Sequence, residues 1–475
     1  MKKYSTLAIL FTLSLSAFSQ VTTPLPHREG SGEGLQGLQG LPGGASLSLS
    51  DCRRLALQNN EQVTTANNAV AKAKLDRQIA FAQYLPKVDG SFTMIQLQNQ
   101  DLLDIGDVLG LQLQTRGTYL AGINVTLPLY AGGQLTAANR LAAIGQKVSE
   151  EQRRKTEMQI IADVDNAYYQ LIAVRAKVQM LEAYARQMES LHDKVQLSVR
   201  ADMATDNDLL RITTKQNEVS YQLQKARNGE QLCGLAMANI IGTDFEQTII
   251  PTDTAFIQVT TPLPHREGPG EGLLLSEDFS TRPDLLLLQQ QVKASEVLVK
   301  KERSNYLPTL ALIGSYSYHD NLKLKGELNL PNGKSLDYNH TIRGGSPYAM
   351  LALKLPIFHW GAEFKKVKKA KLSLSDSQLQ LQQLERSMRV EVRRAVQNVT
   401  DAQRMVETAT IGRQQADENL RNMRLRYDNQ MATMTDLLDA QSQWQQAHSN
   451  LIEAQTQLRI YETEYLRVTG RLTIQ

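Results

Sequence analysis

The chain is 475 residues long, too long for one simple core, so several domains or a duplicated, elongated architecture is expected. Its 52 basic and 49 acidic side chains leave a formal charge of +3, which gives no electrostatic case for nucleic acid or another strongly anionic partner. Cys52 and Cys233 are too few for a disulfide framework; they read as two small buried thiols or, in an oxidising compartment, as one bridge.

Residues 1–19 place Lys2 and Lys3 before an apolar run that ends in the small residues Ala17 and Ser19, the pattern of a cleaved secretory signal peptide. No cysteine follows that run, so the usual acceptor for lipid attachment is missing. No later apolar stretch reaches the roughly 18 residues of a transmembrane helix, so any membrane crossing must use strands. Residues 20–46 read as a flexible inserted segment containing VTTPLPHREGSGEGL at 21–35, which returns at 259–273 with 14 of 15 positions identical.

A first structural repeat is expected over 47–250. NNEQV at 59–63 opens a helix that ends near YLP, 84–86. Alternating apolar residues then mark strands within about 87–130, first at Val88, Phe92 and Met94, then at Leu120, Ile123, Val125 and Leu127. Each stretch is close to the ~10 residues that a tilted membrane strand requires. A proline-free helical hairpin over about 134–242 follows, with Ile160, Val164, Ala167, Leu171, Val174, Val178 and Leu181 in alternating steps of four and three, a heptad seam. If residues 134 to about 200 form one helix, its length is roughly 100 Å.

After a linker over 251–279, which carries the second copy of the inserted stretch, a second repeat spans 280–475. RPDLL at 282–286 opens its first helix, strands lie within about 309–358, and a hairpin occupies about 362–470 with its seam at Met388, Val392, Ala395, Val399, Ala402, Val406 and Ala409. MATDNDLL at 203–210 aligns with MATMTDLL at 431–438, and LPLYAGG at 127–133 with LPIFHWG at 355–361, both at an offset of 228. The YLP pair has an offset of 222, so copy two has gained six residues between YLP and LP, which is expected of a surface loop. The VTTPLPHREG copies lie 238 apart and are far more alike than the halves are, so they read as later passengers at two joints. Phe92, Tyr119, Tyr130, Tyr316, Tyr318, Tyr348, Phe358 and Trp360, with His359, sit near strand ends as interfacial or packing residues.

Four strands cannot close a barrel, and lipid does not tolerate open strand edges, so the chain must oligomerise. On these features, and on RYDNQMATMTDLLDAQ at 426–441, the chain resembles the outer-membrane efflux protein family, of which TolC is the best-known member. The resemblance implies a mainly α fold with a membrane β-barrel portion: a homotrimer whose 12-stranded β-barrel continues into a long α-helical barrel. It implies an exit duct of a tripartite efflux or type I secretion system, with a periplasmic membrane-fusion adaptor, an inner-membrane pump and outer-membrane lipid as partners. It further implies that Asp436 and Asp439 ring a periplasmic constriction, and that Tyr427 and Asp208 tie the hairpin tips. Asp202, Met203, Ala204 and Thr205, with Gln430, Met431, Ala432 and Thr433, would dock the adaptor. Two departures stand out: Asp202 and Gln430 replace the usual tip glycines, and Ala432 stands where a tip arginine is expected.

An exported coiled-coil adaptor or scaffold without a pore would explain the heptads, but neither the paired alternating segments nor their aromatics. An enzyme is disfavoured, since the chain has no HExxH, CxxC, GxSxG or GxxxxGK[ST] motif, and no cofactor is implied. The recurring pairs His27 and Glu29, and His265 and Glu267, lie among Gly and Pro that preorganise nothing, so no metal site is expected.

Overall fold

A computed structural model describes residues 45–105, 111–243, 249–252, 278–329 and 335–473. The signal peptide and both copies of the VTTPLPHREG stretch lie outside these residues. In chain order the elements of the first half are β1 (Ala45–Leu47), α1 (Leu49–Asn59), α2 (Glu61–Ala82), β2 (Lys87–Ile105), β3 (Leu111–Ala131), α3 (Gln134–Arg200), α4 (Asp206–Ile241) and β4 (Ile249–Pro251). The second half contributes α5 (Pro283–Ser304), β5 (Thr309–Asn329), β6 (Ser335–Lys354), α6 (Ala362–Asp428) and α7 (Met434–Val468).

Local chemistry sets the boundaries. Ser48 caps α1 by accepting from the Asp51 amide at 3.2 Å, and Asn60 caps α2 by accepting from Gln62 at 2.8 Å. Asn60 therefore starts a second helix, because NNEQV is preceded by α1. Pro283 occupies the first turn of α5, where its missing N–H costs nothing. Pro86 and Pro308 disfavour helix at the residues before them, and strands begin directly after each, at Lys87 and Thr309.

The four long strands form one antiparallel sheet in the order β2-β3-β5-β6. They are 19, 21, 21 and 20 residues long, about twice what the alternation of apolar residues marked. The apolar pattern ends where the segments turn polar, yet backbone pairing continues, because an antiparallel ladder needs no apolar face. The six extra residues of copy two sit in the strand pair instead of a loop, the β5–β6 ladder running from Thr309↔Lys354 to Asn329↔Ser335. Pro128 has no N–H to give to the ladder, and the β3–β5 register shifts there, between Pro128 and Tyr130. The outer edges of β2 and β6 have no partner strand among the described residues.

Below the sheet, α3 and α6 are each 67 residues long, about 100 Å at the α-helical rise. α3 packs against α2, α4, α5 and α7, whereas α6 packs against α5 and α7. Position explains their different surfaces: α3 buries sixteen side chains and α6 only eight, the latter nearly a single seam through Met388, Val392, Ala395, Val399 and Ala402. Among the described residues no helix is long and apolar enough to cross a membrane.

The main core lies midway along the layer. There β1 pairs in parallel with β4, and Leu47, Leu55, Ile160, Val164, Tyr168, Met237 and Ile241 pack together. Tyr168 donates from its hydroxyl to the Leu47 carbonyl at 3.2 Å. Cys52 is fully buried and Cys233 packs half-buried against the same core; no disulfide joins them. This ribbon of three-residue strands was not visible in the sequence, being too short for any period.

Asp165, with no exposed surface, takes both arms of Arg53 at 2.7 and 2.6 Å and the Thr463 hydroxyl at 3.0 Å, joining α1, α3 and α7. The second half repeats the idea with another residue pair: Arg282 at the start of α5 donates to Glu391 of α6 at 2.5 Å. Burial, then the charge of Asp165, pushes the nearby Tyr169 phenol up to about 12. Asp165→Ala strands the Arg53 guanidinium, 14% exposed, and should cost roughly 3–5 kcal/mol in chemical denaturation of the detergent-solubilised protein. A loss below about 1 kcal/mol would mean that Arg53 reaches water instead.

Candidate functional site at the hairpin tips

Both hairpins turn in the same way. α3 ends with Ala201, after which Asp202 is left-handed at φ 56; the Asp202 amide donates to Val199 at 3.1 Å and the Met203 amide to Ser198 at 2.8 Å. In the second hairpin Gln430 sits at φ 62, its amide donating to Tyr427 at 2.9 Å and the Met431 amide to Arg426 at 2.7 Å. These are Schellman closures, which usually place glycine at the left-handed residue. The missing glycines therefore do not change the turn; Asp202 and Gln430 adopt it and carry its strain.

The return helices begin with capping boxes. Thr205 accepts from the Asp208 amide at 3.2 Å while its own amide and hydroxyl donate to the Asp208 carboxylate at 3.3 and 2.7 Å. Thr433 and Asp436 repeat this with distances of 3.2, 2.9 and 2.7 Å. The repeated MATxxDLL motif is thus first a device for ending one helix and starting the next. Hydrogen bonds from the Thr433 hydroxyl and amide hold the Asp436 carboxyl below the usual carboxylate range. That contribution is present above the ordinary carboxylate pKa and is lost as pH falls through the lowered value.

The candidate carboxylates consequently differ. Asp436 and Asp439 are both exposed, one helical turn apart on one face of α7. Asp436 is held by Thr433, whereas Asp439 has no hydrogen-bond or ion-pair partner among the described residues. Met203 and Met431 project at the two tips, 69% and 78% exposed.

Tyr427 packs among Val195, Ile212 and Met434 on one side and Leu420 and Leu437 on the other. Burial, then the charges of Asp208 and Asp428, raises its phenol above the ordinary value. No hydrogen bond joins Tyr427 to Asp208 within the chain, since the Asp208 carboxylate serves the Thr205 cap. Other residues link the two hairpins: Arg211 of α4 donates to the Thr435 hydroxyl, and Arg424 of α6 to the Gln187 amide oxygen. No motif announces these two arginines, because a pair across helices far apart in sequence leaves no period to read.

Slightly above, Asp417 on α6 accepts from Trp444 at 2.6 Å and lies 2.9 Å from the His448 ring on α7, closing the second hairpin. Among the described residues no group of three or more His, Cys, Asp or Glu side chains is placed to hold a metal ion.

Comparison with known proteins decides the family. The model of the outer membrane efflux protein family matches residues 53–238 and 274–471. The chain belongs to that family. Membership places it in the outer membrane, extending into the periplasm, in a family of efflux proteins that is not a family of enzymes. Over 268 residues it is 25% identical to the pyoverdine export outer membrane protein OpmQ of Pseudomonas aeruginosa, 55% of this chain and 54% of that one. The chain thus aligns with about half the length of this curated relative. The fold matches CusC, a structure described in connection with transmembrane channel formation, with TM-score 0.72 at 15% identity, covering 91% of this chain and 95% of that one. It also matches the CmeC outer membrane channel of Campylobacter jejuni, with TM-score 0.71 at 16% identity, covering 91% and 90%.

For the efflux-family tips, Gln430→Gly should raise stability by about 1 kcal/mol, with a smaller gain for Asp202→Gly because Asp tolerates the left-handed region better. Thr433→Ala should lower it by about 1 kcal/mol. Thermal unfolding of the three variants in detergent checks the signs.

Proposed function

We propose that three copies of this chain assemble into the exit duct of a tripartite efflux or type I secretion system. The observation that carries this reading is the open sheet: among the described residues β2 and β6 have no partner strand at their outer edges, in a sheet belonging to an outer-membrane protein. Hydrocarbon does not tolerate unpaired amides, so the sheet must close on copies of itself. Three copies of four strands make twelve, an even number within the known range. The same operation brings α6 of one copy against the first-half helices of the next and buries side chains now exposed on both, Leu379 and Ile411 on α6, Leu210, Tyr221 and Leu232 on α4.

The duct is a passive conduit. Its tips point away from the sheet by the length of α3 and α6, and an adaptor docks there through Asp202–Thr205 and Gln430–Thr433, with Met203 and Met431 as apolar contacts. The inner-membrane pump supplies the energy. A relative named for pyoverdine export supports an export role over a scaffold without a pore. Three copies of Asp439, each without a partner among the described residues, would ring the mouth and favour cations, assisted by Asp436.

The purified protein should migrate as a heat-sensitive oligomer and carry single-channel currents in planar bilayers; a monomer without currents would leave the scaffold reading standing. Cysteines placed at Met203 and Met431 should crosslink to a periplasmic adaptor in cells. Asp439→Asn should weaken cation selectivity and block by multivalent cations with thermal stability unchanged, whereas Asp436→Asn should lower stability as well. Unchanged selectivity and block in the double variant would sink the carboxylate ring.

A further inference from the structure

The two halves differ most where strand passes into helix, at the membrane end of α3 and α6. In the first half the chain turns through Gly132 and Gly133, at φ 61 and 85. In the second half the equivalent residues, at the offset of 228, are Trp360 and Gly361, at φ 52 and 70. A Cβ on Gly132 would meet the Ser304 carbonyl oxygen at 2.7 Å, so glycine is required there. At Trp360 the same strained backbone instead presents an indole that is 86% exposed, its ring 5.1 Å from that of Phe358. A bulky residue held in the left-handed region and turned outward is a reason to look for function.

Directly below, α6 begins AEFKKVKKAKL, with Lys365, Lys366, Lys368, Lys369 and Lys371 all exposed within its first ten residues, about 15 Å of helix. Their first-half equivalents are Ala137, Ala138, Arg140, Leu141 and Ala143. Helix α3 forms at the same length with one basic side chain in place of five, so the fold does not require the lysines. Among the described residues only Lys366 of the five has an ion-pair partner, Glu363 at 3.1 Å. Lys366 and Lys369 also line a cleft of about 300 Å³ between α5 and α6, together with Leu298, Ser295, Ser373 and Glu302. The Glu302 carboxylate accepts from Asn305 at 3.1 Å.

We propose that this junction is a binding site for anionic phospholipid headgroups of the periplasmic leaflet. An exposed indole prefers the headgroup level of a bilayer, and lysines just beyond it complete a site for a lipid phosphate. Lys366 and Lys369 stand beside Leu298 in that cleft, and stems of this kind cover apolar surface while their ammonium groups stay in a polar layer. The site rests on the placement of the sheet in the outer membrane, and it makes the second repeat, unlike the first, the lipid-anchored side of each copy.

The test uses the full-length protein in a Trp444→Phe background, so that Trp360 is the only tryptophan, reconstituted into bilayers of phosphatidylethanolamine with or without phosphatidylglycerol. Brominated phosphatidylglycerol should quench Trp360 several-fold more than brominated phosphatidylethanolamine at equal fraction. The preference should vanish when Lys365, Lys366, Lys368, Lys369 and Lys371 are all changed to Gln, with currents and heat-sensitive migration retained. Equal quenching by the two lipids, or a preference that survives in the five-Gln protein, overturns the site. So does a change in ion selectivity without a change in quenching, which would put the lysines in the lumen. A protein that neither enters the bilayer nor conducts would instead refute its action as a channel, a separate result.

Discussion

Every backbone amide inside a hydrocarbon layer must be hydrogen-bonded, and this chain supplies only part of what that requires. β3 and β5 are paired on both sides, while β2 and β6 are paired on one. The rest of the molecule can be understood from those two open edges. In the proposed barrel, copies of the chain close the sheet and the helices beneath close in the same circle. The long helices, which form a layer with open flanks, suit that arrangement. Small, mixed seam residues such as Ala395 and Ala402 suit that layer, since they let broad sheets of helices approach without locking any pair into a private coiled coil.

Duplication then sets a second constraint: two similar halves must do unlike jobs. α3 lies in the middle of the layer and is covered on several sides, so its buried face widens to include Tyr168, Tyr169 and Tyr184. α6 lies at the flank and keeps a narrow seam. The ion pairs show the same divergence: Arg53 meets a fully buried Asp165 and Arg282 a partly exposed Glu391, and they join the first helix of each half to its long helix through different registers. Such pairs position elements more than they stabilise them, because desolvation offsets most of the Coulomb attraction. Here they hold the short helices at the level where β1 and β4 close the core.

At the other end of the helices, hairpin geometry and candidate function occupy the same residues. Thr433 and Asp436 start α7, and Asp436 remains exposed and ionised while it does so. Asp439, one turn on, has no such duty. A motif shared by both tips is thus explained mostly by helix capping, and what distinguishes the tips from each other is the better guide to function. The family's fold matches at 15% and 16% identity because capping, seam spacing and strand alternation each admit many residues.

The sequence by itself determined the duplication, the two long hairpins and the position of the strands after YLP, since these rest on periods and on proline. It also singled out the tip residues, though not their division of labour. Tertiary structure alone decided the rest. The strands run to about twice the length that the apolar pattern marked, because ladder pairing is a backbone property and leaves no trace in side-chain hydrophobicity. The β1–β4 ribbon, the Asp165 junction and the Arg211 and Arg424 links join residues far apart in the chain, and no local spacing encodes such a meeting. Gln430 and Trp360 take left-handed backbone that their types disfavour, because the closing hydrogen bonds of the first turn and the strand-to-helix junction of the second fix φ before the side chain has any say.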